Sequence, residues 1–334
     1  MSIPVITFFN NKGGVGKTTL VYHLAWMFAE LGLKTLSADL DPQANLTAAF
    51  LKEEELELIW PEGPHFDTIA GSLDPLRRGI GDIATPTIQV ITPRLFLLAG
   101  DLQLSNFEDE LSVVWPKCSD GDERAFRVTS AFWRVMQNAA AKNQCDLILV
   151  DVGPNLGAIN RAALISSDYV VVPLSPDLFS IQGLRNLGPR LREWRAGWKK
   201  RVHANPTSDL ELPPGEINPI GYLVQQHSVR LDRPVQAYDR WIRLIPNVYS
   251  KAVLDETGTS ASVSSDANCI ALVKHYRSLI PMAQQAKKPM FALRPADGAL
   301  GSHFQAAQLA YKDFSRIAQT IAARTAIKIP ASMF

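Results

Sequence analysis

Cysteine and long apolar runs are both scarce in this chain of 334 residues. Its three cysteines are scattered, with neither metal-ligand spacing nor the even number of a disulfide framework: Cys118, Cys145 and Cys269. This usage favours a reducing compartment, and we expect a cytoplasmic protein. No run of about eighteen apolar residues occurs, and the N-terminus lacks the basic region of a signal peptide, so we expect no membrane association.

A large net charge is also missing, because the formal value is +1 at pH 7. The charges are nevertheless unevenly distributed: residues 39–123 contain 17 acidic and 5 basic side chains, so the rest of the chain is basic. Such asymmetry indicates a basic face built by later segments, or simply solvated helix surfaces. Proline and glycine interrupt the acidic stretch, and we interpret residues 52–123 as a loop-rich acidic insertion whose role the sequence does not indicate.

Short β-prone segments alternate with helical patterns along the chain. Residues 5–9 and 34–40 predict strands, and apolar residues at steps of three or four predict a helix between them. Further strands are predicted at 95–99, 146–152, 169–174 and 217–224, and helices at 125–142, 155–166, 181–200, 235–242, 268–286 and 303–323. This alternation is typical of an α/β fold with a doubly wound, mainly parallel sheet and helices on both faces. We predict one domain over residues 1–328 and a short C-terminal tail at 329–334.

A glycine-rich loop between the first strand and the first helix carries the strongest functional signal. The loop consists of Lys12, Gly13, Gly14, Val15, Gly16, Lys17, Thr18 and Thr19. Glycines let backbone N–H groups converge on phosphate oxygens, and the helix adds its positive N-terminal end. Lys17 would reach the outer phosphates, the Thr18 hydroxyl suits Mg²⁺, and Thr19 would contact the inner phosphates. Because the loop joins a predicted strand to a predicted helix, we interpret it as an ATP-binding P-loop and not as a glycine turn that only permits close packing.

Aspartates end two of the predicted strands. Asp39 lies at the end of the strand predicted at 34–40 and Asp41 directly follows it, and Asp151 lies near the end of the apolar strand predicted at 146–152. Ligands of open α/β sheets bind beyond the carboxyl ends of the strands, so these carboxylates point toward the phosphate site. Asp151 has the pattern of a Walker B residue that binds Mg²⁺. Of the other two, one would hold a metal-bound water and the other would orient the attacking water; turns and helix caps are the alternative interpretation for all three.

These residues resemble the ParA/MinD family of deviant Walker P-loop ATPases. The resemblance covers most of residues 3–190 and includes matching segments at 39–45, 151–157 and 168–173. It implies that Lys12 is the signature lysine, which reaches the partner's phosphates across a nucleotide-sandwich homodimer. It further implies that Asp41 positions the hydrolytic water, that Asp39 is its metal-side neighbour, and that Asp151 is the Walker B residue.

The resemblance favours the ParA branch. The last residues carry too few basic and bulky apolar side chains for the membrane-binding helix of the MinD branch. A ParA-like protein is expected to bind ATP and Mg²⁺, to hydrolyse ATP slowly, to bind DNA non-specifically as a dimer on the nucleoid, and to be stimulated by a ParB-like partner. The resemblance places DNA contacts in two basic regions, with the candidates Arg190, Arg192, Lys199, Lys200, Arg230 and Arg233. A solvated basic helix is the alternative interpretation of these residues.

Three functions are compatible with this sequence. The first is an ATPase that drives DNA partition. The second keeps the ATPase but replaces DNA with another cargo, such as a protein cluster or flagellar or secretion machinery. The third is an ATP-dependent metabolic enzyme, which Lys12 argues against because such enzymes usually lack that lysine.

Overall fold

A single twisted sheet organises the fold. The computed structural model describes residues 2–225, 235–276, 278–325 and 327–331. Its strands are β1 (Val5–Phe8), β2 (Thr35–Asp39), β3 (Gln89–Thr92), β4 (Leu95–Leu98), β5 (Leu147–Asp151), β6 (Tyr169–Leu174), β7 (Asn218–Gln225) and β8 (Cys269–Val273). They lie in the order β3-β4-β2-β5-β1-β6-β7-β8, and every neighbouring pair is parallel except β3 with β4. The predicted doubly wound, mainly parallel sheet is confirmed.

Helices connect the strands and cover both faces of the sheet. They are α1 (Lys17–Glu30), α2 (Asn45–Phe50), α3 (Glu53–Ile59), α4 (Ile69–Arg77), α5 (Phe107–Lys117), α6 (Glu123–Thr129), α7 (Ala131–Lys142), α8 (Ala158–Ile165), α9 (Leu178–Val202), α10 (Val235–Val248), α11 (Leu279–Ala286) and α12 (Ser302–Thr325). Within the described ranges, no helix is long and apolar enough to cross a bilayer.

Two apolar cores lie on opposite faces of the sheet, because successive strand residues point to opposite sides. In β5, Ile148 and Val150 pack into the core beneath α4 to α10, whereas Leu147 and Leu149 pack into the core beneath α1, α2, α11 and α12. All four side chains are fully buried, and each contributes about 1.5–3 kcal/mol of burial free energy. Central strands with both faces covered therefore read as continuous apolar runs.

Several helix boundaries differ from the sequence-based predictions. The helix predicted at 125–142 is two helices, α6 and α7, which meet at Ser130. Pro189 does not interrupt α9; it is exposed, so water can bond the carbonyl that loses its helical partner. The prediction for 268–286 is wrong in its first half, because Cys269–Val273 forms an edge strand and the helix begins only at Leu279.

The acidic stretch is tied to the rest of the molecule at two places. Its strand β4 pairs with β2 in the main sheet, and β3 extends the sheet by one antiparallel strand. Its helix α5 packs against α8, the helix that follows the strand ending at Asp151. The stretch therefore lies directly beside the carboxyl ends of β2 and β5.

Candidate functional site

The loop between β1 and α1 has the backbone shape that an anion site requires. Gly14 and Gly16 both have φ of 72°, in the left-handed region that suits glycine. Gly16 is the N-cap of α1 and has no side chain for capping, so the first N–H groups of the helix remain for an anion. A Cβ atom on Gly16 would lie 2.0 Å from the side-chain amide nitrogen of Gln225, so that side chain would have to move if residue 16 were not glycine.

Lys17 is held inside this loop. Its buried ammonium group donates to the backbone oxygens of Asn10, at 3.1 Å, and Lys12, at 3.2 Å. Burial lowers the pKa of the Lys17 amine, and the carboxylates of Asp151 and Asp41 oppose that shift. The cation therefore lies between the glycine loop and the carboxylates, where a phosphate group would complete its charge balance.

Lys12 points away from the interior of the loop. Its ammonium group pairs with the Asp177 carboxylate and lies 5.9 Å from the ring centre of Phe179. The other carboxylate oxygen of Asp177 accepts from the Ser180 N–H at 2.9 Å and so caps α9. The two side chains of the pair are 25% and 18% exposed. Lys12 is thus bonded within its own chain, and it must leave Asp177 to reach any second molecule.

Asp39 is fully buried and makes a set of bonds to its own loop. One carboxylate oxygen accepts from the N–H and the hydroxyl of Thr47, both at 2.8 Å, and the other accepts from the Asp41 N–H at 3.3 Å. Burial raises the pKa of Asp39 to about 7, and the bonds from Thr47 oppose the shift. The carboxylate fastens α2 and the turn at Asp41 to the end of β2.

Asp41 and Asp151 face the glycine loop from the ends of neighbouring strands. Asp41 accepts from the Gln43 N–H at 3.0 Å, and a Cβ atom on Gly153 would lie 3.3 Å from its Oδ1. Both Asp151 oxygens are buried without a hydrogen-bond partner among the described residues. Burial, followed by the charge of Asp39, raises the pKa of Asp151 well above its usual range, and the nearby Thr18 hydroxyl opposes the shift.

A magnesium ion fits these oxygens. An unpartnered buried carboxylate is costly, and a divalent cation bound to it would remove that cost. In the part of the chain that the structure describes, no group of three or more His, Cys, Asp or Glu side chains forms a metal cage. Mg²⁺ commonly uses one or two protein ligands and completes its shell with phosphate and water, so Asp151 and Thr18 suffice.

A cavity of about 560 Å³ is lined by the glycine loop, Lys17, Thr18 and Asp41. It runs from the glycine loop and Asp41 to a wall formed by α2 and α11, which includes Ala48, Ile280 and Gln284. The Lys287 ammonium donates to the Ala48 oxygen at 2.5 Å and so links the two helices. The volume lies within the range of small-molecule sites. Sequence reasoning missed the contribution of α11 and of Gln225, since neither carries a recognisable motif.

The predicted DNA-binding residues divide into three groups. Arg190, Lys199 and Lys200 are exposed on α9, although Arg190 pairs with Glu193 at 2.7 Å and Lys199 with Glu216 at 3.5 Å. Arg192 is bonded internally, because its guanidinium donates to the backbone oxygens of Ala252, at 2.7 Å, and Val253, at 3.2 Å. The remaining two candidates lie outside the described residues: Arg230 and Arg233.

Similarities to known proteins cover the region that contains this site. A family model described as AAA domain, AAA_31, matches residues 3–203. An uncharacterized protein of Methanocaldococcus jannaschii is 28% identical over 255 residues, which cover 76% of this chain and 85% of that protein. The chromosome-partitioning ATPase Soj of Treponema pallidum is 28% identical over 192 residues, which cover 58% of this chain and 65% of that protein.

The structural comparison agrees with the fold. The ATP complex of a McdA variant from Cyanothece has a TM-score of 0.63 at 15% identity, with 99% of both chains covered. At that identity the likeness concerns the fold alone. Seven relatives, including the Treponema pallidum protein, are matched over 42% to 65% of their own lengths, so the chain spans about half the length of these curated proteins.

Proposed function

The chain belongs to the AAA_31 family of AAA domains and is a ParA-family protein, and from this premise we propose that it is an ATPase that partitions DNA. It binds ATP with Mg²⁺, forms a nucleotide-sandwich homodimer, and hydrolyses ATP slowly. The observation that carries the proposal is a cavity lined by the glycine loop and Asp41, with the buried Asp151 carboxylate behind Thr18 and without a hydrogen-bond partner among the described residues. The partition function named for the Treponema pallidum relative supplies the biological task.

The residues in and behind the cavity have different roles in the proposed hydrolysis. Backbone N–H groups of residues 13–19 and the Lys17 ammonium hold the phosphates. Asp151 and Thr18 would hold Mg²⁺, which would supply positive charge beside the phosphate oxygens. Asp41 accepts a proton or hydrogen bond from the attacking water and aligns it with the terminal phosphorus. Asp39 acts through its bonds to Thr47 and Asp41, which keep Asp41 in position.

Lys12 connects nucleotide state to assembly. In the single chain its ammonium pairs with Asp177, and in the homodimer it turns to the partner's triphosphate. The triphosphate carries more charge than one carboxylate, so it competes for the lysine. Hydrolysis removes the terminal phosphate, so Lys12 loses its attraction to the nucleotide bound by the partner. The nucleotide thereby acts as a switch between monomer and dimer.

Non-specific DNA binding is the second half of the proposal. Helix α9, which carries the exposed cations Arg190, Lys199 and Lys200, contacts α10, whose Arg240 and Arg243 are also exposed. A dimer doubles this surface, and the affinity for DNA increases with the number of cations that contact the DNA phosphate backbone. A ParB-like partner that stimulates hydrolysis would then release the dimer from DNA.

A positioning ATPase for a protein cargo is the second candidate. The observation in its favour is that three arginines of the basic region are bonded to backbone oxygens within the chain, namely Arg192, Arg195 and Arg201. These bonds leave fewer free cations for DNA phosphates than the sequence alone predicts.

DNA binding measured with ATP, with ADP and without nucleotide, across a salt series, tests the proposal. We expect a mobility shift with ATP only, and an affinity that falls steeply as salt rises. The double variant Lys199→Gln/Lys200→Gln should reduce the salt dependence by removing two exposed cations. ATP-dependent dimers that bind no DNA at low salt would favour the protein-cargo function.

A further inference from the structure

The loop that follows Asp151 ends at helix α8, whose first turn is capped by a side chain from another helix. Helix α8 begins at Ala158, and its N-cap, Gly157, has no side chain with which to cap it. The carboxylate of Glu108, on α5, takes that place: Oε1 accepts from the Ala158 N–H at 2.5 Å and Oε2 from the Ile159 N–H at 2.8 Å. A carboxylate at this position satisfies two free donors and meets the positive end of the helix.

The first turn of α8 in turn holds the loop. Asn160 is fully buried, and its side-chain amide donates to the backbone oxygens of Gly153, at 2.8 Å, and Asn155, at 2.7 Å. Gly153 is the residue that packs beside the Asp41 carboxylate. The contacts therefore run without a break from Glu108 to the first turn of α8, to residues 153–155, and to Asp41.

Two more contacts fix α5 to the same turn. The Arg161 guanidinium donates to the Leu111 backbone oxygen at 3.0 Å and lies 4.6 Å from the ring centre of Trp115. Glu108, Leu111 and Trp115 occupy one side of α5, whereas Asp109 and Val113 are exposed. One face of helix α5 thus packs against α8, and the other face is exposed to solvent.

We infer that Glu108 is a positioning residue for ATP hydrolysis, acting through the start of α8 on the loop that sets Asp41 against the bound nucleotide. The inference rests on the proposed ATPase function and extends it, because it gives the acidic stretch a task in catalysis. Small errors in the placement of a group that aligns the attacking water reduce the rate strongly, even when binding is intact. The expected signature is a loss of turnover with unchanged nucleotide affinity.

The test measures steady-state ATP turnover and the ATP dissociation constant in parallel. For Glu108→Ala we expect kcat to fall about tenfold or more, with KM and Kd within about twofold of the original values. Glu108→Gln keeps one acceptor oxygen and should restore part of kcat. Asp109→Asn removes the adjacent exposed carboxylate of the same helix and is the matched control, with kcat unchanged.

A second variant disrupts the contact between Glu108 and α8 by a change in the N-cap residue of α8. A Cβ atom on Gly157 would lie 2.5 Å from Glu108 Oε1, so Gly157→Ala must displace the carboxylate while leaving it in the chain. We expect kcat to fall in this variant as well. In the double variant with Glu108→Ala, the two losses should not add, because both remove one interaction.

The outcomes separate the inference from the function on which it rests. If the unsubstituted protein is active and Glu108→Ala has the same kcat, the role of Glu108 is overturned but the proposed function is not. Equal losses of kcat and ATP affinity would overturn it too, since they indicate a damaged fold. If the unsubstituted protein neither binds nor hydrolyses ATP, the proposed function itself is overturned. If Glu108→Ala does not fold, Glu108→Gln and Gly157→Ala decide the question by the same criteria.

Discussion

The carboxyl ends of β2 and β5 lie side by side, with Asp39 directly opposite Asp151 in the sheet register. At the end of β2, three donors from Thr47 and Asp41 surround the Asp39 carboxylate. At the end of β5, the nearby Thr18 hydroxyl favours the ionised form of Asp151, but neither carboxylate oxygen has a hydrogen-bond partner within the described ranges.

The difference shows that two aspartates in similar sequence patterns can have different environments, one bonded to protein donors and one without such bonds. Each strand is a buried segment that closes with an aspartate, and burial raises the pKa of both carboxyl groups. Asp39 has exchanged its water for protein donors and stabilises its loop. Asp151 has lost water without gaining a hydrogen-bond partner among the described residues, and this agrees with its proposed role as a ligand of Mg²⁺.

The largest expected effect concerns Asp41, which the β2 loop holds. Asp41→Ala should still bind ATP and dimerise, but turnover should fall by about 10²–10⁴-fold, because the attacking water loses its acceptor. Phosphate release gives the rate and light scattering gives the dimer. Normal turnover in this variant would remove Asp41 from the mechanism.

A matched pair of substitutions tests the contrast between the two strands. Asp151→Asn should reduce Mg²⁺-dependent turnover by about 100-fold or more without lowering the free energy of unfolding of the nucleotide-free protein. Asp39→Asn should lower that free energy by about 1–3 kcal/mol, because the new amide faces the N–H of Thr47. Urea titration of both variants checks the prediction, and equal losses of stability would contradict the contrast.

The ion pair of Lys12 predicts a smaller change in assembly. Asp177→Asn keeps an N-cap for α9 but removes the charge that holds Lys12, so ATP-dependent dimers should form at about two- to fivefold lower protein concentration. Lys12→Ala should lose the ATP-dependent dimer, and adding Asp177→Asn should not restore it. Dimers equally strong in all these variants would exclude Lys12 from the interface.

The smallest effect is a pH dependence of stability. Folded Asp39 keeps its proton up to about pH 7, whereas the unfolded side chain releases it near 3.8. The proton therefore stabilises the folded state at low pH, and this contribution is lost as pH rises through that window. His23, whose pKa burial lowers to about 4, has the opposite slope below about 6.5.

Subtracting one variant isolates the contribution of Asp39. As the pH rises from 5 to 8, the unfolding free energy of the unsubstituted protein relative to that of Asp39→Asn should fall by roughly 1–3 kcal/mol. A difference that does not vary with pH would show that Asp39 is ionised throughout.

Local patterns predicted the parts of the molecule that depend on neighbouring residues. The glycine loop, its lysines and the strand-end aspartates lie within short segments, and parallel strands bring their carboxyl ends together. The sheet followed from alternating strands and helices in the same way. The split at Ser130 escaped prediction because the apolar period continues through both α6 and α7.

Contacts between distant segments could not be predicted in this way. The bonds from Glu108 to α8 join residues 50 positions apart, and the link from Lys287 to Ala48 spans 239 positions. Arg192 looked like a free cation until the fold placed the Ala252 oxygen beside it. A single sequence carries no local signal for such pairs, since each residue is ordinary for its own helix.

Calorimetric titration of the protein with ATP, in the presence and absence of Mg²⁺, tests whether the glycine loop binds a nucleotide. We expect binding with a dissociation constant in the range of about 1 μM to 1 mM that weakens when Mg²⁺ is removed. Absence of heat at millimolar ATP with Mg²⁺ present, from protein that circular dichroism shows to be folded, would contradict this expectation.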